Sequence, residues 1–302
     1  MKSSFSIWLD AARPKTLLLA IAAIATGSSL AYADHHFSLA ISLLALLTAT
    51  LLQILSNLAN DYGDAAQGTD NDNRIGPIRG MQQGMITQSG MKKAIAINIA
   101  FTIVSGLALI FYALQSPTSI MAFIVLGLLS IVSSIAYTMG SKPYGYIGLG
   151  DISVFIFFGL LAILGTYFLH TGTVKAALLL PAIGSGLFSM GVLNINNMRD
   201  VENDTVSNKR TLVVRIGIEK AKRYHLGLLT FGWLTMALYL VQHVETLWIS
   251  LFMLLPLVLI VKHGKTIWQV QHSKEFVPML PDMVKCAFIT NIVFSVLLVL
   301  GQ

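Results

Sequence analysis

Charge is what this chain has least of. Only 11% of its 302 residues are Asp, Glu, Lys or Arg, against 55% hydrophobic, whereas a soluble domain carries about a quarter charged residues. That shortage excludes water as the solvent for most of the surface and leaves lipid. Acids are the scarcer sign, 14 Asp and Glu against 20 Lys and Arg. The single cysteine, Cys286, excludes an intramolecular disulfide, and its apolar neighbours make it a packing residue. No P-loop, dinucleotide fingerprint or nucleophile motif is present. The seven histidines show no metal-ligand spacing and read as structural or solvated. The basic excess does not indicate nucleic acid, because the cations lie in short loops and not along a continuous stripe. A cleavable signal is also missing: the first apolar run, from Thr16, is too long and is followed by many more.

What is there is a series of apolar runs. With a window of about 20 residues, the sequence predicts nine transmembrane helices at roughly 16–33, 37–57, 92–114, 117–138, 148–168, 174–195, 224–241, 246–262 and 283–301. The eighth is short and carries Pro256, which with Pro181 marks an expected kink. Under this count nineteen of the twenty basic residues, from Lys2 to Lys285, fall on one side, and only Lys175 on the other. The positive-inside rule then places the N-terminus in the cytoplasm and the C-terminus outside. The expected fold is an all-α integral membrane protein, one domain over residues 1–302 of a bacterial (inner) membrane. Its cytoplasmic cap loops are expected at about 58–91 and 196–223, since long ordered loops are uncommon unless functional.

Both cap regions hold acids at helical spacing. Asn57-Leu-Ala-Asn60-Asp61-Tyr-Gly-Asp64 places Asn57, Asp61 and Asp64 at i, i+4 and i+7, and Asn196, Asp200 and Asp204 stand at i, i+4 and i+8. Each set stacks on one helical face, where like charges repel. Asn60/Asp64 and Asn196/Asp200 repeat with an offset of 136 residues, or four spans. That fits two parallel four-helix units plus a ninth helix, with a site between the units. An ordinary pair of polar loops is the bland alternative for either motif alone.

Asn and Asp supply oxygen ligands only, which suit Mg2+ held by one or two carboxylates, water and substrate phosphate. Two such half-sites would clamp a diphosphate, with Arg79, Lys142 and the Lys209-Arg210 pair neutralising the rest and the departing charge stabilised where it develops. A water-poor cavity would protect the carbocation left behind. Asp151 is equally readable as a helix N-terminal acid, and Tyr137 and Tyr144 as interfacial anchors.

These residues resemble the UbiA superfamily of membrane prenyltransferases. The resemblance rests on the two Asp-rich motifs four spans apart, on Tyr137-x-x-x-x-Lys142-Pro, and on Gly148-Leu-Gly-Asp151. The strings Asn57 to Asp64, Gly68-Thr-Asp70, Arg74-Ile-Gly-Pro-Ile-Arg79-Gly-Met and Ala12-Arg13-Pro-Lys15-Thr16 resemble its 1,4-dihydroxy-2-naphthoate branch, and not the 4-hydroxybenzoate branch. The resemblance implies Mg2+-dependent transfer from a polyprenyl diphosphate to the carboxylate-bearing ring carbon, with loss of CO2, as in menaquinone synthesis. It implies metal sites at Asn57, Asn60, Asp61 and Asp64, and at Asn196, Asp200 and Asp204. Asp64, Asp200 and Lys142 would be catalytic. Arg79, Lys142 and Arg210 would hold diphosphate oxygens, and Tyr137, Tyr144, Asp151, Arg13 and Lys15 the acceptor. One departure stands out: where the family has a third Asp, this chain has Gly68, with Asp70 or Asp72 as substitutes. Prenyl transfer to another aromatic acceptor, or secondary transport, are the rival readings.

Overall fold

The computed structural model describes residues 3–71 and 74–302, so Lys2 and Asp72 lie outside the described residues. Among those described, the chain is helical throughout, and nine helices are long and apolar enough to cross a membrane. They run Pro14–Ala33, Leu39–Ala66, Gln88–Ala113, Pro117–Ala136, Gly150–Thr171, Ala176–Val206, Ile218–His243, Leu247–Gln269 and Ser273–Leu300.

The apolar runs give the positions of the spans but not all of their ends. The second and sixth helices continue past the apolar sequence to Ala66 and Val206. Residues 58–66 and 196–206 are therefore helix and not cap loop, which corrects both loop boundaries. Both prolines fall where a span changes from 3-10 to α geometry: Pro181 in the first α turn of Leu179–Val206, after Ala176–Leu178, and Pro256 in the first α turn of Leu254–Gln269, after Leu251–Met253. There the missing N–H costs little.

Packing divides the spans into two neighbourhoods. The second span packs along the third and fourth, and the sixth packs along the fifth and seventh. The first span lies between, against the second, fifth and ninth. The largest buried cluster joins Leu30, Ile163, Phe188, Met236 and Phe294, all at or near zero exposure. Outward, the fourth span exposes Met121, Val125, Leu128, Leu129 and Val132. Such a face is stable only against acyl chains. Close approach also comes from small residues, as membrane helices require: a Cβ on Gly159 would lie 2.7 Å from the Ala182 carbonyl oxygen and from Gly186 Cα. Gly159 sits in a π-helical turn, Phe155–Leu161, from which Phe157, Phe158 and Leu161 line a central cavity. Polar pairs tie other spans together, among them Thr26 to Asn291 (3.1 Å) and His225 to His263 (3.2 Å).

Candidate active site

Because the second helix runs on to Ala66, Asn57, Asn60, Asp61 and Asp64 occupy successive turns of one face. The Asn57/Asp61 and Asn60/Asp64 pairs are thus one surface. Beyond Ala66 the chain turns at Gly68, whose φ of +73° favours glycine. The amides of Thr69 and Asp70 donate back to the Asp64 carbonyl at 2.9 and 3.3 Å. The turn returns the Asp70 side chain, 1% exposed, to the same acids. Arg79 Nη1 stands among three carboxylates: 2.9 Å from Asp61 Oδ1, 3.2 Å from Asp64 Oδ2 and 3.2 Å from Asp70 Oδ2. Arg13, at a left-handed φ of +53° where the short helix Ser4–Ala12 meets the first span, also pairs with Asp61.

The second motif faces this one. Asn203 Nδ2 donates to the Thr69 carbonyl at 2.8 Å, joining the sixth helix to the turn after the second. Asp200 is held by its neighbour Arg199, with Nε 2.7 Å from Oδ1. After Val206 a left-handed Asn208 (φ +56°) reverses the chain, and the Lys209 amide reaches the Asp204 carbonyl at 2.8 Å. Lys209 Nζ therefore lies between the motifs, 3.3 Å from Asp64 Oδ1 and 4.0 Å from Asp204 Oδ1. It also stands 4.9 Å from the centre of the Tyr146 ring, whose hydroxyl donates to Asp64 Oδ1 at 2.8 Å and lies 2.6 Å from Thr69 Oγ1.

Burial and charge set the protonation of the surrounding groups. Burial would lower the Arg79 guanidinium, but Asp61, Asp64, Asp70 and Asp200 more than offset it and hold it above its usual range. The same balance, with Asp64 and Asp204, raises the Lys209 ammonium. Arg74 is lowered to about 10, first by burial and then by Arg79. Burial, then Asp64, raises the Tyr146 phenol, which stays a donor. Burial pushes the Asp70 carboxyl up despite Arg79 and Arg74.

Asp70 bears on metal binding. Neither of its carboxylate oxygens accepts a well-directed hydrogen bond, although Arg74 Nε is 3.1 Å away. Each oxygen instead faces a guanidinium at ion-pair distance, Oδ1 that of Arg74 and Oδ2 that of Arg79 at 3.2 Å. Among the described residues no three His, Cys, Asp or Glu side chains are gathered closely enough to hold a metal ion, with Arg79 standing between the acids. The donors are all oxygen, which fits a hard divalent ion.

Behind the acids lies a cavity of about 310 Å3. Its polar end holds Arg13, Asn57, Asn60, Asn196, Tyr137 and Tyr144, and its wall continues along the spans to Leu109, Ile110 and Leu169. Tyr144 donates to the Ser133 carbonyl at 2.9 Å and packs edge-on against Tyr137.

The structure gathers Asn57, Asn60, Asp61, Asp64, Arg79, Arg13, Asn196, Asp200, Asp204, Tyr137 and Tyr144 about this end. Four expected residues stand apart. Lys142, Lys15 and Arg210 are exposed, and among the described residues no ion pair joins them to the acids. Asp151 accepts from Tyr224 at 3.0 Å and is absent from the cavity wall, as suits its first-turn position. The sequence reading passed over Tyr146 and Arg74 and favoured Arg210 over its neighbour Lys209. The signal for Lys209 was the Asn before it, a residue that tolerates the left-handed turn.

A model of the UbiA prenyltransferase family matches residues 18–292. The chain is 48% identical over 295 residues to the 1,4-dihydroxy-2-naphthoate octaprenyltransferase of Escherichia coli (strain K12), covering 98% of this chain and 96% of that one. It is 44% identical to the enzyme of that name from Haemophilus influenzae, covering 100% and 98%. Its fold is similar to that of a UbiA homolog from Archaeoglobus fulgidus bound to GPP and Mg2+, with a TM-score of 0.65, 15% identity, and coverage of 97% and 99%.

Proposed function

The chain belongs to the UbiA prenyltransferase family, and on that footing we propose that it transfers a polyprenyl group from its diphosphate to 1,4-dihydroxy-2-naphthoate. The observation that carries the reading is the facing of two acid motifs across Lys209 at the polar end of a membrane-embedded apolar cavity. The near full-length identity to the naphthoate enzymes selects the acceptor.

Asn57, Asn60, Asp61, Asp64 and Asp70 on one side, and Asn196, Asp200 and Asp204 on the other, would hold Mg2+. The ion would neutralise the diphosphate and stabilise it as a leaving group. Arg79 and Lys209 supply fixed positive charge where the leaving group's charge grows, with Lys142 and Arg210 meeting it from the exposed loops. The apolar cavity wall keeps water from the allylic cation. The allylic C–O bond breaks with its electron pair on the diphosphate. The ring carbon bearing the carboxylate forms the new C–C bond, and loss of CO2 returns the electron pair to the ring. No proton need leave that carbon. The product is the quinol of demethylmenaquinone. Tyr137, Tyr144 and Arg13 line the acceptor's approach in this reading, with Lys15 and Asp151 outside the cavity wall.

The protein is a multi-pass membrane protein, and the excess of basic residues in the loops on the site's side supports a site facing the cytoplasm of a bacterial inner membrane. The test is product analysis with one prenyl diphosphate, Mg2+ and either acceptor. A decarboxylated prenyl naphthoquinone formed only from the naphthoate is expected. Product from 4-hydroxybenzoate alone would move the protein to a different acceptor, and solute uptake into vesicles without prenylated product would favour transport.

A further inference from the structure

Gln53 stands in the second span one turn before Asn57, on the face that carries Asn57 and Asn60. It is 8% exposed and forms part of the central cavity wall. Its Oε1 is buried and accepts no hydrogen bond. Other polar groups of the same wall are already engaged. Thr48 donates to the Leu44 carbonyl (2.9 Å), Ser130 to Leu126 (2.8 Å), Thr166 to Ala162 (2.6 Å) and Ser189 to Ser185 (3.0 Å). These bonds stay within one helix and need nothing from the cavity. A glutamine amide has one acceptor oxygen and two N–H donors, and a buried amide oxygen left without a donor is an exception that calls for a partner.

Position narrows what that partner is. One helical turn, about 5.4 Å, separates Gln53 from Asn57 at the polar end. The diphosphate belongs with the acids, and the prenyl tail carries no polar atom to offer an amide. The acceptor ring must come within about 3.5 Å of the first prenyl carbon, which sets it just inside the acids. There its polar atoms are two ring hydroxyls and a carboxylate. The carboxylate, being an anion, suits Arg13 at the mouth, whereas the free carbonyl oxygen of Gln53 suits an O–H donor. We propose that Gln53 recognises a ring hydroxyl of the aromatic acceptor, with Oε1 accepting from the O–H, an assignment that rests on the prenyl-transfer reading above.

The test uses the full chain in nanodiscs and the variant Gln53→Leu, which replaces the amide with an apolar side chain of similar bulk. The KM for the dihydroxynaphthoate should rise about 10- to 100-fold, while the KM for the prenyl diphosphate stays within about twofold. Inhibition by 2-naphthoate, which keeps the rings and carboxylate but lacks both hydroxyls, should be the same for wild type and variant. If the leucine variant does not fold, Gln53→Met gives the same comparison. An unchanged acceptor KM, a parallel rise in both KM values, or weakened 2-naphthoate binding in the variant would each overturn the Gln53 assignment alone. A wild type that prenylates no dihydroxy acceptor would overturn the functional reading with it.

Discussion

The second and sixth helices end in acids at nearly the same spacing, yet the protein treats the two ends differently. Around the second helix, Asp61, Asp64 and Asp70 are met by Arg13, Arg79 and Lys209 at ion-pair distance. Around the sixth, among the described residues, Asp200 has an ion pair only with the adjacent Arg199, and Asp204 only a long contact to Lys209 at 4.0 Å. The first end is assembled by the fold itself, through a turn at Gly68 and a long loop that carries Arg79. The second is left less neutralised. On the proposed mechanism, charge added by substrate and metal would therefore change more at the sixth helix than at the second, whose acids already face cations.

Substitution separates the two ends. The largest effect is on turnover: Asp64→Asn and Asp200→Asn should each lower kcat by about a thousandfold or more, as loss of a metal-borne leaving-group site does. A rate near wild type for either would remove that residue from the clamp. Next is stability. Asp64→Asn leaves Arg79 and Lys209 undercompensated in a buried site, and should cost about 3 kcal/mol, whereas Asp204→Asn should leave the unfolding midpoint in detergent nearly unchanged. Equal losses would erase the asymmetry. Smaller again, Asp70→Asn should raise the Mg2+ concentration for half-maximal rate by about tenfold. The smallest effect is expected at the exposed loop: Lys142→Ala should raise the KM for the diphosphate less than Lys209→Ala does.

The sequence disclosed the spans because lipid imposes a length and an apolar composition that few other contexts require. It disclosed the acids because they are rare in this chain and spaced for one helical face. It did not disclose which of two adjacent cations stands with them. Lys209 and Arg210 are neighbours, and only the left-handed Asn208 decides that Lys209 turns inward. Tyr146 was equally hidden, because its hydroxyl reaches Asp64 from a residue 82 positions away. The Gly68 departure looked like a missing ligand. In the folded chain that glycine is what brings Asp70 back to Asp64 and Arg79. Gln53 passed as one polar residue in an apolar run, since its unpaired oxygen is a property of its surroundings.

The central claim is that two facing half-sites hold a diphosphate through divalent ions, and counting bound ions tests it most directly. Mn2+ would be titrated by paramagnetic resonance into wild type and Asp200→Asn, each with and without an unreactive prenyl thiodiphosphate. The account expects two ions per chain in wild type, tight only when the diphosphate analogue is present, and one in the variant. Tight binding that ignores the analogue, or a count that Asp200→Asn leaves unchanged, would contradict it.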